Sequence, residues 1–92
     1  MDNEYNGTDL LKEIVDSYSN QDDIQIMKAD GFDEAVIGIE ISSLRLVYSE
    51  YKCIQILRRD MTLEDALEHF DFNVRGSYIG ELTPIWVNDF IY

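Results

Sequence analysis

Hydrophobic residues recur at helical spacing in two stretches of the chain. The first stretch predicts an amphipathic helix over residues 9–19, with Thr8 as its N-cap and an apolar face made of Leu10, Leu11, Ile14, Val15 and Tyr18. The second predicts a helix from Ser49, its N-cap, to Arg59, with an apolar face made of Tyr51, Cys53, Ile54 and Leu57. Each helix is apolar on one side only, so both are expected to pack on a core.

A third predicted helix has the strongest start signal. Thr62 is followed three residues later by Asp65, a variant of the capping box. Apolar residues then recur at i, i+3, i+4 and i+7, namely Leu63, Ala66, Leu67 and Phe70. We expect this helix to run to Asn73, with Gly76 ending the segment and an acidic face turned to solvent.

Strands are predicted between and after these helices. β-Branched residues indicate a strand at 35–41, and alternation indicates another at 44–48, so the two are expected to form a hairpin. Shorter strands are predicted at 24–27 and, after Pro84, at 85–87. The sequence therefore predicts a single α+β domain over residues 1–92, with a flexible start at 1–7. Its three helices would pack on a three- to four-stranded, mainly antiparallel sheet centred on the hairpin.

Charge is the most unusual property of the composition. The 92 residues carry 19 acidic and 7 basic side chains, for a formal net charge of -12. The net charge is -8 over residues 1–35, +1 over 36–60 and -5 over 61–92. A negative field repels nucleic acid and anionic membranes and attracts basic surfaces, and salt weakens both effects. The composition therefore predicts no direct binding to nucleic acid or membrane, and favours a basic partner.

The sequence also predicts a cytoplasmic location. Cys53 is the only cysteine, so it cannot form an internal disulfide, and it is expected to be a small buried residue. The acidic N-terminus lacks the basic start and apolar core of a signal peptide. No apolar stretch approaches the ~20 residues that a membrane span requires.

No motif indicates catalysis. His69 is the only histidine, and although Asp65 lies one helical turn before it, no second His or Cys completes a metal site. Glu64, Asp65, Glu68 and Asp71 offer carboxylates for acid–base chemistry, but acids on an amphipathic helix usually form its solvated face. Glycine-rich phosphate and dinucleotide loops are absent. We therefore expect a protein that is not an enzyme and uses neither a cofactor nor a metal.

Several segments share their order and spacing with a known group. The segments are AVIG at 35–38, RLVYS at 45–49, KCI at 52–54, MTLEDA at 61–66 and FNVRGSYIGELTPI at 72–85. Over residues 35–87 the chain resembles a group of small, largely uncharacterised proteins encoded by bacteriophages. The resemblance implies a phage origin and implies no catalytic residue. Residues 1–30 lie outside it.

Two rows of carboxylates share an i, i+4, i+7 spacing. The rows are Asp9, Glu13 and Asp16 on the first helix, and Glu64, Glu68 and Asp71 on the third. Neighbours about 5–6 Å apart are comparable in spacing to the phosphates of a nucleic-acid strand. In a phage setting this pattern predicts a nucleic-acid mimic that binds and inhibits a basic, nucleic-acid-handling host protein. Such targets include defence nucleases, restriction or CRISPR effectors, and polymerases.

Two other interpretations of the charged faces stay open. Acidic helix faces are common in soluble proteins, so solvation alone explains both rows. Alternatively, the protein is a homo-oligomeric accessory or structural protein, in which a basic face meets an acidic row of another subunit. That basic face lies on the second helix and consists of Lys52, Arg58 and Arg59.

The C-terminal segment is rich in aromatic residues. Trp86 is large enough to anchor the core, and this structural role is the simpler interpretation. The alternative is an exposed aromatic contact surface made of Tyr78, Trp86 and Tyr92, because such residues dominate interface energetics when uncovered.

Overall fold

The computed structural model describes residues 6–18, 26–74, 76 and 80–89. Its helices are α1 (Gly7–Tyr18), α2 (Glu50–Leu57) and α3 (Leu63–His69), and its strands are β1 (Val36–Glu40), β2 (Arg45–Ser49) and β3 (Ile85–Val87). A 3-10 turn, Asp33–Ala35, precedes β1, and a π-helical turn, Phe70–Val74, follows α3. The described residues thus form a small α+β domain with three helices and a three-stranded sheet, in agreement with the predicted fold class.

The sheet is mixed, with β2 in the centre. β1 pairs with β2 in antiparallel fashion, with a bulge between Val36 and Gly38, which confirms the predicted hairpin. β3 pairs with β2 in parallel, and Trp86 lies opposite Tyr48. The chain between β2 and β3 passes through α2 and α3, and such a crossover connection joins parallel strands. The expectation of a mainly antiparallel sheet is therefore only roughly met. Ile26 and Met27 are not in a strand, and the rest of the strand predicted at 24–27 lies outside the described residues.

Buried residues from the helices and from β1 and β2 form one hydrophobic core. Tyr48 of β2 is fully buried, and its hydroxyl accepts the Ala29 N–H at 2.8 Å. Burial raises the pKa of Tyr48 to about 12. The Trp86 ring contacts Tyr48, with ring centroids 5.0 Å apart, and meets Phe70 edge-on at 5.6 Å. Trp86 therefore packs against the core, as the simpler interpretation predicts, and Tyr78 and Tyr92 lie outside the described residues.

Cys53 is part of the same core and is fully buried, as predicted. Burial, with a smaller contribution from the negative charge of Glu50, raises the pKa of the Cys53 thiol to about 12. The thiol therefore stays protonated at neutral pH and acts as a small apolar side chain.

The start of α1 differs from the prediction. Its cap is Asn6, not Thr8, because the Asn6 side-chain oxygen accepts the N–H groups of Thr8 at 2.9 Å and Asp9 at 3.2 Å. The Asp9 carboxylate in turn accepts the Asn6 N–H at 3.2 Å. Gly7 lets the helix begin this early, since a Cβ at Gly7 would lie 2.3 Å from the carbonyl oxygen of Glu34. The predicted apolar face is confirmed, with Leu11 and Ile14 buried.

The caps of α2 and α3 are confirmed. Ser49 Oγ accepts the Lys52 N–H at 3.0 Å, and Thr62 Oγ1 accepts the Asp65 N–H at 3.1 Å. Both helices end earlier than predicted, because α2 stops at Leu57 and α3 gives way to the π-helical turn after His69. Tyr51 and Leu63, predicted on apolar faces, are 44% and 37% exposed. Within the described ranges, no helix has the length and apolarity to span a bilayer.

Candidate protein-binding surface

The carboxylates predicted on the third helix share one shallow depression. Glu64 and Glu68 belong to α3, Asp71 belongs to the π-helical turn, and all three are exposed. The depression has a volume of about 500 Å³ and is also lined by Glu50, Leu67 and Phe72. We name it the acidic depression. The structure therefore brings this predicted row together and adds a fourth carboxylate from α2.

The first turn of α2, which carries Glu50, is fixed by the chain that follows β3. Ser49 Oγ donates to the Asp89 carboxylate at 2.6 Å, and the other Asp89 oxygen accepts the Tyr51 N–H at 3.2 Å. Ser49 is fully buried, whereas Asp89 is exposed, so this contact lies at the edge of the core. A carboxylate at a helix N-terminus is also favoured by the helix dipole. Asp89 thus links the segment after β3 to the first turn of α2, which carries Glu50.

No Lys or Arg among the described residues lines the acidic depression. The two ion pairs formed between described residues are Lys28–Asp33 and Arg59–Glu34, and neither involves Glu50, Glu64 or Glu68. Like charges gathered in a concavity focus a negative potential and attract cationic groups. The lining of the acidic depression is therefore predominantly negative.

Phe72 places an aromatic ring beside these carboxylates. It is 73% exposed, whereas Phe70, two residues earlier, is 1% exposed and belongs to the core. Phe72 also lines a second depression, which it shares with Met61, Asp65, Glu68, His69 and Asn73. Single exposed hydrophobic residues are ordinary, and Ile41 is exposed to a similar degree, so Phe72 is set apart by its place beside the carboxylates. An aromatic ring in that place adds apolar contact area to a charged surface.

A third concavity adjoins the second one at Asn73, which lines both. It has a volume of about 220 Å³, and its apolar walls include Phe32, Val74, Pro84 and Trp86. The exposed charges of Lys28 and Asp30 also border it. Trp86 Nε1 is buried and has no hydrogen-bond partner among the described residues. We name this concavity the Trp86 cavity.

The row on α1 has a different setting. Asp9, Glu13 and Asp16 are all exposed, but the Asp9 carboxylate takes part in the helix cap. α1 packs on β1 and the 3-10 turn, whereas α3 packs on α2 and continues into the π-helical turn. None of the large exposed hydrophobic side chains of the described residues belongs to α1. The row on α1 therefore offers charge without an apolar contact.

The basic face on α2 is partly neutralised within the chain. Lys52 and Arg59 border a depression that also contains Glu34. The Arg59 guanidinium donates to the Glu34 carboxylate, so one cation of this face already has a partner. Arg58 follows α2 as its exposed C-cap residue. The face keeps Lys52 and Arg58 as its exposed cations outside that ion pair.

His69 does not lie in a metal-binding arrangement. Its Nδ1 is 3.4 Å from the Asn73 side-chain nitrogen, one turn later. Across the described ranges, no group of three or more His, Cys, Asp and Glu side chains is placed to hold a metal ion.

The chain matches no family model, no curated protein and no solved structure. The resemblance to phage proteins therefore stays a prediction from the sequence.

Sequence reasoning missed three parts of this surface. The sequence carries no sign that Glu50 belongs with the row on α3, because its proximity to α3 depends on tertiary packing. Phe72 falls outside the apolar spacing of the helix, and this out-of-phase aromatic residue was the signal available in the sequence. The Trp86 cavity gave no signal, since its walls come from three segments that are distant along the chain.

Proposed function

We propose that this chain is a non-enzymatic binding protein of phage origin that acts in the host cytoplasm. Its target is a basic, nucleic-acid-handling protein, such as a defence nuclease, a restriction or CRISPR effector, or a polymerase. The observation that carries the proposal is the exposed Phe72 ring beside the four carboxylates of the acidic depression. The carboxylates attract and orient a basic surface, and the aromatic ring supplies contact area.

Inhibition follows from the place where such a partner carries its positive charge. A nucleic-acid-binding protein concentrates its Lys and Arg side chains in the groove that contacts phosphates. A protein with a net charge of -12 is steered to that groove, and by occupying it would exclude the nucleic acid. The proposed activity is therefore competition, which needs no chemical step and no cofactor.

The acidic depression, rather than the row on α1, is the proposed contact. Both rows contribute to long-range attraction, but only the depression combines carboxylates from two helices with an exposed aromatic side chain. Long-range charge mainly changes the rate of association, whereas desolvated aromatic contacts slow dissociation. The row on α1 should therefore assist encounter, and the depression should hold the complex.

The test compares two variants that each lose three negative charges. The depression variant carries Glu64→Gln, Glu68→Gln and Asp71→Asn, and the α1 variant carries Asp9→Asn, Glu13→Gln and Asp16→Asn. Tagged proteins are used to capture partners from a bacterial lysate at low and high salt, and captured proteins are identified by mass spectrometry. We expect the wild type and the α1 variant to retain a nucleic-acid-binding protein at low salt and release it at high salt. The depression variant should not retain it.

A second measurement establishes competition. The captured protein is purified, and its binding to a labelled nucleic acid is measured as the wild-type chain is added. Displacement by the wild type but not by the depression variant is the expected result. Equal retention by both variants would mean that the acidic rows serve solvation only. Recovery of the bait alone, together with a salt-sensitive oligomer in ultracentrifugation, would favour the homo-oligomeric alternative, in which Lys52 and Arg58 meet an acidic row.

A further inference from the structure

The three concavities are neighbours around α3 and the π-helical turn. The acidic depression shares Phe72 and Glu68 with the second depression, and the second depression shares Asn73 with the Trp86 cavity. Carboxylates dominate the lining of the acidic depression, and apolar side chains dominate the lining of the Trp86 cavity. A partner that contacts both therefore meets negative charge on one side and an apolar cavity on the other.

We infer that the basic partner inserts an apolar side chain into the Trp86 cavity while its neighbouring Lys or Arg residues lie along the acidic depression. This inference rests on the proposed function and specifies the partner's contact segment. The segment is a short basic stretch with a large apolar residue near one end. Charge complementarity selects the basic part, and the walls formed by Phe32, Val74 and Pro84 select the apolar part.

The size of the Trp86 cavity limits what it can hold. The cavity volume of about 220 Å³ leaves room for one large side chain.

The Trp86 cavity is also a place where the free protein is not optimised for stability. An open apolar concavity leaves its wall atoms without packing partners. A side chain of a partner that enters the cavity would supply those packing partners.

Trp86 provides the measurement, because it is the only tryptophan in the chain. Two lysine-rich peptides of matched length and charge are titrated into the full chain. One has a phenylalanine at each end, so that either orientation places a ring at the cavity, and the other has alanine there. Emission of Trp86 is excited selectively, and neither peptide fluoresces under these conditions.

We expect the phenylalanine peptide to shift Trp86 emission in a saturable way and to bind about tenfold or more tightly than the alanine peptide, the gain expected from burying one aromatic side chain. Ala29 lines the cavity, so Ala29→Leu should fill it and remove the difference between the peptides. The depression variant should weaken both peptides while leaving their affinity ratio unchanged.

The outcomes separate this inference from the proposed function. If both peptides bind equally, lose affinity in salt and in the depression variant, and leave Trp86 emission unchanged, the acidic depression is a contact but the cavity is not. If the phenylalanine peptide gains affinity and shifts Trp86 emission while the depression variant has no effect, the cavity is a site but the acidic depression is not. Absence of binding by the phenylalanine peptide overturns the inference directly, because the wild-type chain is the protein used.

Discussion

The two acidic rows have the same spacing in the sequence and different surroundings in the structure. Asp9, Glu13 and Asp16 lie on a helix whose described contacts are with β1 and the 3-10 turn, and no large exposed apolar residue accompanies them. The other row lies in a depression with Glu50 and Phe72. Charge spacing therefore identifies a helix face, and the packing of neighbouring elements decides which other side chains lie beside it.

The largest expected effect is a difference in stability between variants of the two phenylalanines of the π-helical turn. Phe70 is 1% exposed and meets Trp86 edge-on, so Phe70→Ala should destabilise the protein by about 3–5 kcal/mol. Phe72 is 73% exposed, so Phe72→Ala should change stability by less than about 0.5 kcal/mol. Urea denaturation of both variants measures the difference. A cost for Phe72→Ala similar to that of Phe70→Ala would show that Phe72 belongs to the core and would remove the distinction between the rows.

The next largest effect tests how α1 is attached. In Gly7→Ala the new Cβ would lie 2.3 Å from the Glu34 carbonyl oxygen, and this obstacle is backbone. We expect a loss of about 2–3 kcal/mol and displacement of α1 from the 3-10 turn. Gly38→Ala is the matched control, because nothing lies within 4 Å of its Cβ position. Peptide binding at the acidic depression should survive in Gly7→Ala protein that remains folded, and its loss would mean that the two rows are coupled.

Removing a helix cap should cost less stability, and the caps of α1 and α3, the helices that carry the two rows, can be tested separately. Thr62→Ala removes the cap of α3 and should cost about 1 kcal/mol, and Asn6→Ala should cost a similar amount at α1. Thr8→Ala should cost less than about 0.5 kcal/mol, because Thr8 lies inside the first turn of α1 and Asn6 supplies the cap. Thermal denaturation of the three variants is sufficient. If Thr8→Ala were the costly change at α1, the helix would begin where the sequence predicts.

These caps show what the sequence can specify. Ser49 and Thr62 were predicted correctly because a cap is a local interaction between residues three positions apart. The prediction of Thr8 as the cap of α1 was wrong, because Asn6 is an equally good capping residue. The choice between the two depends on the close approach of Gly7 to Glu34, which is distant in sequence. The same limit applies to the sheet, where the hairpin was predicted and the parallel pairing of β3 was not.

The candidate site likewise has a part that the sequence predicts and a part that it does not. The row Glu64, Glu68 and Asp71 follows from helical periodicity, and the structure places its members in one depression. Glu50 joins them only through the packing of α2 against α3, with the Asp89 contact to Ser49 fixing the start of α2. Periodicity thus predicts which residues share a face, and long-range contacts decide which faces meet.

The smallest effect concerns a carboxylate outside both acidic rows, which is held by several hydrogen bonds. Glu40, at the end of β1, has its pKa lowered from 4.5 to about 2 by the side chains of Ser43 and Ser42 and by their backbone N–H groups. Ser42 Oγ donates to the carboxylate at 2.7 Å, and the Ser43 N–H donates at 2.9 Å. The Ser43 hydroxyl acts on Glu40 by proximity, because its oxygen does not reach hydrogen-bond geometry, whereas the Ser42 hydroxyl donates directly. Ser42 is therefore the residue to change.

The pH dependence of this contact has a definite sign. Because the pKa of Glu40 is lower in the folded chain, the contact stabilises the fold above about pH 4.5, and this contribution is lost as the pH falls towards 2. Ser42→Ala should raise the pKa of Glu40 measured by NMR titration, and its destabilisation should shrink on acidification. Repulsion among the many acids acts in the opposite direction, since mild acid relieves it. A Glu40 pKa that stays near 4.5 in the wild type would contradict this prediction, whereas a low value that rises in Ser42→Ala would show that its hydrogen-bond partners set the behaviour of this carboxylate.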